Sequence, residues 1–207
     1  QAVDREVRQK ARGEEVRLMP GVAADYSAVA ALNASRAIVC WLDDASDVLR
    51  CTSLAVDALG MVAGATVTAQ ASRPMYVSLA ALDESTAVVC YVADHSSNAG
   101  RCRIVTAGGG GNLSVGDTSF AFHSTSTYYV AVAALDGTHA IVCYEASGYG
   151  YCRLLTVSGS ELSFGSGRVF RYASSDYVSV SGLSATDAVV CSQGTSNGAC
   201  CHVVSRS

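Results

Sequence analysis

Nine cysteines, four histidines and ten tyrosines are the residues of this 207-residue chain with the most reactive or adhesive side chains. Eight of the cysteines fall into local pairs: Cys40 with Cys51, Cys90 with Cys102, Cys143 with Cys152 and Cys191 with Cys200. Eight to eleven residues separate the members of a pair, and no further cysteine or histidine stands in register to complete a zinc site. The histidines, His95, His123, His139 and His202, occupy unrelated places, and no H-E-x-x-H or G-x-S-x-G sequence accompanies them. The aspartate run "DDASD" from Asp43 to Asp47 lacks the glycine and terminal glutamate of a calcium loop, and S-x-D-x-G-x-x-W does not occur. These residues therefore point to disulfides and surface recognition. No catalytic centre, metal or cofactor is expected.

The elements that hold the cysteines repeat. "YSAVAALNASRAIVC" (Tyr26 to Cys40), "YVSLAALDESTAVVC" (Tyr76 to Cys90), "YVAVAALDGTHAIVC" (Tyr129 to Cys143) and "YVSVSGLSATDAVVC" (Tyr177 to Cys191) are copies of one segment at intervals near fifty residues, the period of propeller blades. Each copy divides into short runs rich in β-branched and aromatic residues, separated by Asp/Ser, Ser/Asn/Gly and Gly-rich turns. The pattern predicts an all-β fold: a four-bladed β-propeller of four-stranded antiparallel blades, over residues 14–207. The blades are expected near 26–72, 76–123, 129–172 and 177–207, the last completed by residues 14–19.

"EEVRLMPGVAADYSAV" before the first copy matches "GRVFRYASSDYVSV" before the fourth, while the chain stops after the third run of its last copy. A strand from Glu15 to Met19 is thus expected to pair with that run and close the ring. In the first run of each blade, small residues (Ala28, Ala30, Ser78, Ala80, Ala131, Ala133, Ser179, Ser181) alternate with large ones (Val29, Leu79, Val132, Val180). The small set is expected nearest the axis and the large set between blades. Residues 1–13 form a charged arm in which Val3, Val7 and Ala11 permit a short helix that is marginal unless docked.

With these copies the chain resembles the tandem blade repeats, about fifty residues each, of secreted or surface proteins of marine microbes. "ALDGTHAIVCYEASGYGYCRLLTVSG" in the third copy carries the resemblance best. It implies a propeller and assigns no activity.

If the second and third strands of a blade form a hairpin, its two cysteines lie across from each other within bridging distance. Four bridges are expected as paired above, with Cys201 as a free or intermolecular thiol. They imply an oxidising space, extracellular or cell-surface, or else an organelle lumen. The formal charge of −4 and the absence of a basic stripe in the body argue against nucleic acid. No stretch is long and apolar enough for a membrane span. The chain begins at Gln1 without a signal pattern, so a targeting segment is expected to be absent or already removed.

Two loop sets vary among the copies: the turns between second and third strands, and the links between blades. On a propeller these emerge on one face, so that face is the candidate binding surface. Its chemistry-bearing residues are Asp43, Asp44, Asp47, Arg73, Asp94, His95, His123, Glu145, Tyr149, Tyr151 and Asp176. Asn33, Asp83, Asp136 and Ser184 instead recur in the first turn of each blade, where side-chain-to-backbone bonds suit a structural role. The column Tyr26, Tyr76, Tyr129 and Tyr177 is expected to seal blade junctions, with sugar stacking as the alternative. Trp41, Tyr91 and Tyr144 follow the first cysteine, a series that Ser192 breaks. "NAS" at Asn33 and "NLS" at Asn112 match the N-glycosylation pattern.

The expected function is a non-catalytic interaction or scaffold subunit with protein partners. The alternatives are a multivalent glycan-binding propeller and a glycan hydrolase.

Overall fold

The computed structural model describes residues 16–18, 23–57, 60–70, 72–93, 98–194 and 198–206. The N-terminal arm and both ends of the expected closing strand, Glu15 and Met19, lie outside these residues. Val16 to Leu18, which are described, carry no strand.

The repeats appear as four antiparallel sheets in series. The first holds β1 (Ala24–Asn33), β2 (Arg36–Asp43), β3 (Val48–Asp57), β4 (Gly60–Ala63) and β5 (Val67–Gln70). The second holds β6 (Pro74–Ala81), β7 (Thr86–Ala93), β8 (Ala99–Ala107), β9 (Leu113–Val115) and β10 (Phe120–His123). The third holds β11 (Thr127–Ala134), β12 (His139–Ala146), β13 (Tyr149–Ser158), β14 (Glu161–Phe164) and β15 (Arg168–Arg171). The fourth holds β16 (Asp176–Gly182), β17 (Asp187–Gln193) and β18 (Ala199–Ser205). The expected single outer strand is two short ones in the first three sheets, both paired with the third strand. Glycine-containing bends at Gly64, Gly116 and Gly165 interrupt it.

The first turns form as their residue types require. The side chains of Asn33, Asp83, Asp136 and Ser184 accept backbone N–H bonds from residues two or three positions on. Each inner strand then carries a bulge at its tyrosine. Tyr26, Tyr76, Tyr129 and Tyr177 sit at φ 48, 52, 50 and 52°, and the pairing with the second strand shifts register there. A non-glycine residue in this left-handed region costs of order 1 kcal/mol or more. Ring contact accompanies it: neighbouring tyrosines lie 5.5, 5.0 and 5.1 Å apart along the series.

Consecutive sheets pack by one rule. The face of the first sheet with Ala28, Ala30, Ile38 and Cys40 meets the face of the second with Leu79, Val89 and Tyr91. The opposite face of the second, with Ala80, Val88 and Ile104, meets Val130, Val132 and Tyr144 of the third. Ala131, Ala133 and Ile141 of the third meet Val178, Val180 and Val190 of the fourth. Small residues on one inner strand thus receive large ones on the next. The sequence places the large set between blades and the small set nearest the axis; both sets pack between sheets.

The aromatic filling is also exchanged between repeats. Gly100 lies against Phe122 and Gly150 against Phe170, where a β-carbon would collide with the ring. In the first sheet the same two places hold Leu49 and Ala69, both buried. One large and one small residue fill the space either way, as close packing demands.

The expected closure of the ring on four blades is not what the described residues show. The inner strands β1, β6, β11 and β16 are neighbours in sequence order, but β1 and β16 do not pack on each other as consecutive ones do. Val29 is 64% exposed, whereas its counterparts Leu79 and Val132 are 8% and 6% exposed. Among the described residues, the first and fourth sheets do not close on each other.

All four pairs of facing hairpin strands carry a disulfide, and three pairings are as expected: Cys40–Cys51, Cys90–Cys102 and Cys143–Cys152. The fourth is Cys191–Cys201, and Cys200 is the free thiol. The ladder decides it. Cys191 stands directly opposite Cys201, and Cys200 stands opposite Ser192 on the other side of the sheet. Cys201 therefore corresponds to Cys51, Cys102 and Cys152, and His202 to Thr52, Arg103 and Arg153.

Candidate functional site

The two varied loop sets do emerge together. Arg73, in the link after the first sheet, pairs with Asp44 at 3.4 Å and Asp47 at 3.6 Å in the turn between β2 and β3. Thr127 donates its N–H to the Asn98 carbonyl in the same way one sheet later. Tyr149 meets Tyr172 edge-on at 6.1 Å one sheet further on.

Several expected face residues are turn-formers rather than free groups. Asp43 is buried, with its carboxylate accepting from Ser46, the Ala45 N–H and Arg50, which together hold it below the ordinary carboxylate range. Glu145 is buried and accepts the Gly148 N–H, and burial raises its carboxyl. Asp176 accepts from Ser174. Asp94 and His95 lie outside the described residues. Of the glycosylation candidates, Asn112 is exposed, whereas the Asn33 side chain is engaged in its turn.

His123, Tyr144, Tyr151 and Arg153 come together at the seam between second and third sheets. β10 contributes His123, and β12 and β13 place the other three on the facing sheet. Tyr144 and Tyr151 stack at 5.8 Å, and the His123 ring lies 5.3 Å from Tyr144 and 6.5 Å from Tyr151. Burial and the Arg153 charge lower the His123 pKa. Burial raises the Tyr144 pKa, opposed by the charge and hydrogen bond of Arg153. Gly167 admits the guanidinium, with 3.2 Å from a hypothetical β-carbon there to Arg153 Nε.

The other two seams repeat this arrangement with different residues. Between first and second sheets stand Gln70, Tyr91, Arg101 and Arg103. The Tyr91 hydroxyl bonds to Gln70 at 3.0 Å and Ser119 at 3.1 Å, and Arg103 donates to the Gly116 carbonyl. Between third and fourth sheets stand Arg171, Ser192, Cys200 and His202, with His202 5.8 Å from Phe170. Among the described residues, the buried side-chain polar atoms without a hydrogen-bond partner are Arg103 Nε, Arg153 Nε, Arg171 Nη1 and Ser192 Oγ. All four belong to these three equivalent clusters. None of Arg101, Arg103, Arg153 and Arg171 has a carboxylate within ion-pair distance among the described residues.

Solved structures with the same fold include a lectin. The N224Q mutant of Aleuria aurantia lectin in complex with Fucα1-6GlcNAc matches at a TM-score of 0.57 and 13% identity, over 86% of this chain and 57% of that one. The same lectin mutant in complex with α-methyl-L-fucoside gives the same TM-score and identity, over 86% and 56%. The repeated sheets of this chain resemble the blades of that lectin propeller. This chain spans somewhat more than half the length of those lectin chains. No protein-family model matches it, and neither does any curated protein. The comparisons support the repeated-blade architecture and carry no indication of a marine or microbial source.

The arginines escaped the sequence reading because each cluster is assembled across two blades. A signal was present: Arg103 and Arg153 each follow the second cysteine of their blade, in "CRI" and "CRL". Among the described residues no three His, Cys, Asp or Glu side chains converge as a metal site requires, and no helix is long and apolar enough to cross a membrane.

Separately, a cleft of about 270 Å³ opens between third and fourth blades, lined by Leu135, Phe170, Arg168, Val204 and Arg206. Arg206 there is tied to Asp136 at 3.2 Å.

Proposed function

We propose that the chain binds carbohydrate at the seams between consecutive blades, as a non-enzymatic lectin-like propeller. The observation that carries this reading is the recurrence, in the equivalent clusters of three seams, of a buried guanidinium nitrogen or hydroxyl oxygen without a hydrogen-bond partner. A buried donor left unpaired costs roughly 1–3 kcal/mol, and sugar hydroxyls are acceptors of suitable size and polarity. Tyrosine and histidine rings beside Arg153 offer apolar faces on which the C–H side of a sugar ring can lie. The fucosides bound in the similar lectin structures support the same class of ligand. Glycan binding therefore takes precedence over a protein scaffold, and among the described residues the seams assemble no carboxylate pair of the kind a hydrolase uses. Four disulfides support an oxidising location, extracellular or at a cell surface.

The seams differ in composition, so they are expected to bind one sugar with unequal affinity, best where Tyr144, Tyr151 and His123 surround Arg153. The test is a glycan array followed by calorimetric titration of the leading sugar. Arg153→Gln should weaken the strongest site about tenfold or more, the scale of a lost charge-assisted hydrogen bond. Absence of binding across the array, or titration unaltered by Arg153→Gln and Tyr151→Ala, would overturn the reading.

A further inference from the structure

The outer faces of the first and fourth sheets are halves of the interface that the chain already forms three times. On the first sheet, the free face carries Val29, Ala31, Val39, Leu54 and Val56, the side that in the second and third sheets is covered by the preceding blade. On the fourth sheet, the free face carries Ser179, Ser181, Val189 and Val203, the side that elsewhere is covered by the following blade. Val203 is 67% exposed, while Ile104 at its place in the second sheet is 6% exposed. Leu183 is 62% exposed, while Leu32 and Leu82 at its place are 8% and 9% exposed. The size complementarity is retained, with small Ser179 and Ser181 on one end and large Val29 on the other.

We propose that these faces join head to tail, the fourth sheet of one copy of this chain packing on the first sheet of a second copy. The contact is heterologous, because the two faces are different, and it continues the register of the seams within the chain. It also places residues of two chains in a new seam. On the first sheet Arg50, already paired with Asp43, and Trp41, already buried, stand at the rim of that seam where Arg101 and Tyr91 stand in the second. Exposed apolar side chains of this size on a sheet face mark an interface, and their burial against a second copy removes them from water as in the three internal seams.

The test uses light scattering coupled to size-exclusion chromatography on the oxidised chain over rising concentration. The unaltered chain is expected at masses of two or more copies. Val29→Arg blocks the head and Val203→Arg blocks the tail, and each variant alone is expected at the mass of one copy. Mixed together they retain one sound head and one sound tail, so a one-to-one complex is expected and nothing larger. Both changes lie at exposed positions, and Leu183→Arg gives a second tail variant should Val203→Arg fold poorly. A chain that stays single at all concentrations overturns the proposal, whether its faces are covered by its own N-terminal residues or by a different partner. A chain that associates although the mixed variants do not would also overturn it, since the contact would then join like faces. Glycan binding is read separately by calorimetry, so failure here leaves that function standing.

Discussion

The second sheet is packed on both faces, the fourth on one, although the two are copies of one plan. Ile104 and Val203 hold the same position on the third strand, two residues beyond the bridged cysteine, and differ tenfold in exposure. A repeat sequence therefore specifies strands, turns and bridges within each copy. What a residue buries depends on whether another copy stands against it, as in any repeat array where neighbour interfaces supply much of the stability.

The sharpest way to break this comparison is to truncate both residues in dilute protein. Ile104→Ala should destabilise by about 2–5 kcal/mol through the cavity it leaves, while Val203→Ala should stay within about 0.5 kcal/mol. Denaturant unfolding followed by circular dichroism measures both. Similar losses would mean that the fourth sheet is covered after all.

The bridges extend the comparison. Both sulfurs of Cys143–Cys152 are buried, whereas Cys201 is exposed. Graded reduction and alkylation with mass analysis should open Cys191–Cys201 first. Replacing Cys143 and Cys152 by alanine should cost about 2–3 kcal/mol for a loop of this length. Reduction of the inner bridges before the outer would contradict the burial.

Glycine and ring at the third seam offer a smaller, reversible test. Gly150→Ala should cost about 1–3 kcal/mol because the new methyl meets Phe170. Gly150→Leu with Phe170→Ala recreates the Leu49 and Ala69 arrangement of the first sheet and should recover much of the loss compared with Gly150→Leu alone. Non-recovery in thermal melts would show that the two fillings are not interchangeable.

The smallest expected effect is a pH response confined to one seam. His123 has its pKa below the ordinary 6.5, so the unfolded chain takes up more protons than the folded one as pH falls through that region. Stability should therefore decrease on acidification below about pH 6.5, and His123→Gln should flatten that part of the profile. Melting temperature measured between neutral and mildly acid pH tests it. An unchanged slope in the variant would remove His123 from the account.

Local features were legible in the sequence, and relations between distant copies were not. Asp83 and Asp136 announce their turns because the bonds they accept reach only two or three residues. Cys40, Cys90 and Cys143 announce their partners because each hairpin offers one cysteine. At the fourth hairpin two cysteines stand side by side, and ladder register alone selects Cys201. Arg153 and His123 belong to different copies, thirty residues apart, so their meeting depends on how blades stack. Closure of the ring was beyond reach of the sequence for the same reason: a matched strand sequence near Glu15 says nothing about curvature.

The adjacent cysteines also shape how the chain reaches its native state. Cys200 and Cys201 compete for Cys191 during oxidation, and the losing arrangement is separated from the native one by a single-residue slip of β18. Once β17 and β18 have zipped together, Cys200 points away from the bridge and cannot attack it in line, so correction must occur while the hairpin is still loose. Maturation of the last blade should accordingly depend on the thiol–disulfide exchange capacity of its surroundings, and a Cys200→Ser chain should mature with less need of an isomerase.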